Sequence, residues 1–143
     1  MRLRQIFMAL VLISPLPAED LVKVDKDEFL RHVENWAPPE YPRKSAAAQH
    51  TGVVTATVDV DAGGHVTGVN IVASPDVHMA ETVKAEVGKW VFRPFVALGK
   101  PKAMESTIYI EFRLRPTEPN VIIPGLTAKP APTVKDPYKR PSQ

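Results

Sequence analysis

Four histidines, His32, His50, His65 and His78, are the side chains of this 143-residue sequence best suited to hold a metal or to move a proton near neutral pH. No two of them stand at the i, i+3 or i+4 separation that puts two ligands on one helical face. The sequence has no cysteine, so thiolate metal sites, cysteine nucleophiles and disulfide scaffolds are excluded. No serine sits in a nucleophile elbow. Gly63-Gly64 has the composition of a phosphate loop, but it lies between two strand-like runs rather than between a strand and a helix, which makes it a plain turn. Asp59 and Asp61 border that turn, where acidic residues serve the backbone. With no nucleophile, base and oxyanion site together, the sequence predicts no enzyme, no metal or other cofactor, and no small-molecule substrate.

A binding surface remains, and the most regular segment of the chain offers one. Met104, Ser106, Ile108, Ile110, Phe112 and Leu114 alternate with Glu105, Thr107, Tyr109, Glu111, Arg113 and Arg115, the period of a strand with one face buried and one wet. If that strand closes a small sheet, its outer edge offers unpaired N–H and C=O groups to an extended peptide. Thr107, Tyr109, Glu111 and Arg113 are then the partner-binding candidates. Charges on such a strand have a second reading, protection of the edge against aggregation.

Other elements must position this strand. Asp25 to Trp36 reads as a short helix, with Asp25 as cap, Glu28 three residues on, and Phe29, Val33 and Trp36 on one face. Pro38 and Pro39 stop it. Tyr41 to Gln49 predicts a second short helix, ending before Gly52. Val53–Val60 alternates as a strand, Asp61-Ala62-Gly63-Gly64 turns the chain, and His65–Ala73 returns as the other arm of a hairpin, with a bulge near Gly68. Ser74 or Asp76 then caps a helix with Pro75 in its first turn, and Ala80, Val83, Val87 and Trp90 form its packing face. Phe95 to Pro101 is expected to be a connecting loop.

The ends of the chain differ from its middle. Arg2 and Arg4 precede an apolar run from Ile6 to Ile13 and the small residues near Ala18, the layout of a secretory signal peptide over residues 1–18. The run is shorter than the roughly 20 residues a bilayer span needs. The expected address is periplasmic or secreted, with an uncleaved inner-membrane anchor as the alternative. Removing Arg2 and Arg4 takes the net charge from +2 to zero, so the charge gives no ground for a nucleic-acid partner. At 44% hydrophobic and 24% charged, the composition fits neither a disordered chain nor a polytopic membrane protein. Residues 19–37 read as an N-terminal helical extension, 38–115 as the domain, and 116–143 as a proline-rich mobile tail whose Val121-Ile122-Ile123 cluster is able to dock locally.

The joints between these elements resemble the C-terminal domain of the TonB family. Pro39-Glu40-Tyr41-Pro42, Gly52, Asp59-Val60-Asp61-Ala62-Gly63-Gly64-His65-Val66, Ser74-Pro75, Trp90-Val91-Phe92-Arg93-Pro94 and Gly99-Lys100-Pro101 carry the resemblance, over about Pro38 to Leu114. It implies an α+β fold: a three-stranded antiparallel sheet, one main helix packed on it, and short N-terminal helices. It also implies a periplasmic module that docks the Ton box, an extended peptide segment of an outer-membrane TonB-dependent receptor, against its last strand. The family's wider task is energy transduction for transport of siderophores and vitamin B12. Glu19 to Pro38 is too short to bridge a periplasm at about 3.3–3.6 Å per residue, so receptor recognition is expected here without autonomous force transmission. The rival expectation is a homodimer, in which the same strand pairs with its twin.

Overall fold

The structure, a computed structural model, describes residues 20–114 and 119–127. In chain order its elements are β1 (Val22–Lys23), α1 (Lys26–Arg31), β2 (Val33–Asn35), α2 (Arg43–Ala47), β3 (Gly52–Val60) and β4 (Val66–Ala73). Then follow α3 (Val77–Val87), β5 (Val91–Phe92), β6 (Phe95–Ala97), β7 (Lys100–Lys102), β8 (Met104–Leu114) and β9 (Pro119–Ile122).

The alternation of β3 and β8 becomes a nine-pair antiparallel register from Gly52↔Phe112 to Val60↔Met104. Val54, Ala56, Val58 and Val60 then share the buried face with Met104, Ile108, Ile110 and Phe112. β4 pairs antiparallel with the other side of β3, with register shifts that leave Thr67 and Val72 as the extra residues. The α3 helix lays Met79, Val83 and Val87 on that face, and Phe29 of α1, Trp90 and Phe92 complete the core. Its cap is Asp76, which accepts from Met79 N–H at 2.8 Å, so Pro75 precedes the cap instead of filling the first turn.

The hairpin turn needs its second glycine. Gly64 has φ +88°, and a Cβ there would lie 1.9 Å from the Phe92 carbonyl oxygen. The close approach is itself a bond, Phe92 N–H to Gly64 C=O at 2.8 Å, which ties the turn to the segment leaving α3.

Several expectations are corrected. The sheet has five strands instead of three: β4, β3 and β8 form the antiparallel centre, and β1 (parallel) and β9 (antiparallel) both pair with β8. The helix expected over 25–36 ends at Arg31, because Val33 and Asn35 pair with β5 across a bulged antiparallel ladder. Trp36 lies beyond it and meets Trp90 edge-on, ring centres 5.8 Å apart. Phe95 to Pro101 is not a plain loop but lies within the β6–β7 hairpin. Val121 and Ile122 belong to β9 and Ile123 beyond it is buried in the core, so the tail segment from 119 to 127 is structured; residues 1–19, 115–118 and 128–143, with the leader and most of the tail, lie outside the described residues.

Candidate peptide-docking edge

Which side of β8 faces outward follows from its bonds. Val22 N–H of β1 donates to Ala103 C=O at 2.9 Å and Val24 N–H, just after β1, to Glu105 C=O at 3.0 Å, both on the side away from β3. Because backbone groups alternate sides along a strand, the outward set continues through Thr107, Tyr109, Glu111 and Arg113. Those are the four residues singled out from the sequence, but they do not share one environment. Glu111 and Arg113 stand opposite Ile122 and Asn120 of β9. Thr107 and Tyr109 have no strand opposite them among the described residues.

The edge is therefore open in its middle and occupied at both ends, a correction to the expectation of a wholly free edge. One side chain explains where β1 stops. Ser106 is buried in the core face, and its hydroxyl donates to Val24 C=O at 2.9 Å, taking the acceptor that a longer parallel ladder would have used. Asp25 next caps α1, and the chain passes beneath β8, burying Phe29 and Leu30. From Glu105 to Glu111 the strand runs about 20 Å.

The side chains of all four candidates lie on the sheet face away from the helices. Thr107 is half-buried, its hydroxyl 3.4 Å from that of Thr57 on β3, and Tyr109 is 45% exposed opposite Thr55. Glu111 and Arg113 form a two-bond ion pair at 2.6 and 2.8 Å. The hydrogen bond from Arg113 holds the Glu111 carboxyl below its ordinary range, and Glu111 holds the guanidinium above its own.

Sequence reasoning missed a feature on the same face. Asp59 and Glu105 are direct cross-strand partners in a non-hydrogen-bonded position, where side chains lie closest. Burial pushes the Asp59 carboxyl up, and the neighbouring Glu105 carboxylate adds to it. Lys23 of β1 reaches Glu105 at 3.7 Å. Pairing register is what makes these acids neighbours, and no spacing within either strand announces it.

No catalytic constellation is assembled among the described residues. His50 Nδ1 lies 2.8 Å from Asp76, but no serine hydroxyl is bonded to a histidine among the described residues, and the buried Ser45 hydroxyl has no hydrogen-bond partner there. Among the described residues, no group of three His, Asp or Glu side chains is placed to hold a metal, and no helix is long and apolar enough to cross a membrane.

The sequence profile of the family described as Gram-negative bacterial TonB protein C-terminal matches residues 37–114. The chain belongs to the TonB C-terminal family. Among solved structures it is similar to the solution NMR structure of the Pseudomonas aeruginosa TonB C-terminal domain. That similarity is at 25% identity with a TM-score of 0.51, covering 60% of this chain and 88% of that one. No curated protein matches. The family is a non-enzymatic interaction domain of TonB-type energy transduction, which meets outer-membrane receptors from the periplasmic side.

Proposed function

We propose that this protein is a periplasmic docking module that takes an extended segment of an outer-membrane receptor as an added strand along the outer edge of β8, in transport of the siderophore or vitamin B12 kind. The observation that carries the reading is the stretch at Thr107 and Tyr109 that no strand covers among the described residues, whose outward backbone groups lie between the end of β1 and the end of β9. A guest strand gains affinity from those groups and selectivity from the side chains above them, Tyr109 foremost. Two residues provide at most four backbone bonds at about 1 kcal/mol each, too little alone for tight binding. A longer guest must replace β9, whose four-residue antiparallel pairing with Glu111–Leu114 is itself of the kind a guest would make.

The test separates backbone from side chain. Tyr109→Pro removes an outward N–H without touching the ladder to β3, whereas Tyr109→Ala keeps the N–H and removes the ring. In titrations with a synthetic receptor segment carrying the Ton box, followed by NMR, the proline variant should lose binding and the alanine variant should weaken it only several-fold. Equal affinity in the wild type and the proline variant rules the edge out. Light scattering on the free protein addresses the rival reading, since a tight dimer that buries Tyr109 and ignores the segment would favour self-pairing.

A further inference from the structure

The β6–β7 hairpin ends in a turn that is costly in two independent ways. Leu98 and Gly99 are its two central residues, between the paired Ala97 and Lys100, and both have positive φ, +52° and +75°. That is the arrangement of a type I′ turn, where the first position favours asparagine, aspartate or glycine. A leucine there is sterically disfavoured. It is also fully exposed, at 100% of its possible surface, with Val96 at 57% on the adjoining strand. Single exposed apolar residues are ordinary on a protein surface, but a fully exposed leucine at a strained turn returns nothing to the fold.

The hairpin has a charge to match one kind of partner. Lys100 has no ion-pair partner among the described residues, and Lys102 has only Asp20, at 3.8 Å. A Cβ built on Gly99 meets nothing within 4 Å, so the tip is a convex projection with no wall beside it. The Asp20 contact also places the first described residue at the base of the hairpin.

We propose that the β6–β7 hairpin is a membrane-touching tip that inserts Leu98 into the interface of an anionic lipid surface while Lys100 and Lys102 meet the headgroups. One leucine and two lysines give weak, reversible, salt-sensitive binding, half-saturating at about a millimolar accessible lipid or above. Such a tip orients the domain on a bilayer without anchoring it. This inference is independent of the docking edge, which lies on β8.

Leu98→Asn tests it, because it gives the turn its favoured sequence while removing the apolar contact. With the protein as the producing cell processes it, the variant should unfold at higher urea than the wild type. Its co-sedimentation with phosphatidylglycerol-containing vesicles should fall about tenfold, the effect of losing one buried leucine. A structural role for Leu98 would move stability the other way and overturn the proposal. Equal sedimentation with neutral phosphatidylcholine vesicles would also overturn it. If residues 1–18 are retained and hold both proteins to the vesicles, an environment-sensitive dye decides. The chain has no cysteine, so Val96→Cys, exposed beside the tip and leaving Leu98 in place, and Thr67→Cys each label at one site. A blue shift with anionic vesicles at position 96 and none at 67 supports the tip; no shift at 96 sinks it.

Discussion

The carboxylate of Asp76 closes the start of α3 and draws in the loop that follows α2. Burial pushes its pKa up, but the Met79 N–H, the Ser45 hydroxyl and His50 outweigh that and bring it down to about 2. A folded-state value below the unfolded one, about 3.9, means that this carboxylate stabilises the fold above pH 4. That contribution is lost as the pH falls from about 4 through 2. Asp76→Ala should cost about 1 kcal/mol at pH 7 in urea denaturation, and its stability should vary less across that acid window than the wild type's. Asp59 has the opposite sign. Its raised value means the folded state favours the protonated acid, so its effect on stability worsens as the pH rises through the folded pKa. Asp59→Asn should therefore stabilise the protein at pH 7 by about half a kcal/mol, the scale of one directly opposed like-charge pair, and should lose that advantage in acid. A measured loss of stability at pH 7 would show that Asp59 is held as a useful anion instead.

At the scale of elements, the segments legible in the sequence were those long enough to carry a period. β3, β4, β8 and α3 each contain eight or more residues, and their alternation or helical spacing is set by one buried face. β1 has two residues and β9 four, too few for any repeat, and Val22 finds its partner in Met104, far along the chain. The Phe29, Val33, Trp36 spacing fits a helix, yet tertiary pairing with β5 overrides it at Val33. Of the candidate site, the outward set on β8 was readable from alternation, whereas its partial cover by β1 and β9 was not. That cover has a measurable consequence. Ile122→Pro deletes an N–H from the β9 ladder opposite Glu111, and should raise affinity for a receptor segment by about tenfold while the centre of the sheet stays folded. Unchanged affinity would mean that guest and β9 do not compete. The turn between β3 and β4 gives a harsher case: Gly64→Ala must move the Phe92 carbonyl, and should cost about 3 kcal/mol or more in thermal or urea unfolding.

Taken as a whole, the molecule is an asymmetric sheet. One face is buried under α1, α3 and the aromatic cluster of Phe29, Trp90 and Phe92; the other is open to solvent with Tyr109 at its outer margin. The two edges also differ. β4 is interrupted by two register shifts, a common way to discourage added strands, whereas the middle of β8 is regular and, among the described residues, unpaired on its outer side. The family meets receptors, and the proposed place for that meeting is the gap between the two self-made strands on β8. Hydrogen exchange at the backbone amides of Thr107 and Tyr109, with and without a receptor segment, tests this most directly. The account predicts fast exchange in the free protein and strong protection on binding, with the β9 amides becoming less protected as the segment lengthens. Binding that leaves Thr107 and Tyr109 exchanging as before, and protects Val69 and Ile71 of β4 instead, would contradict it.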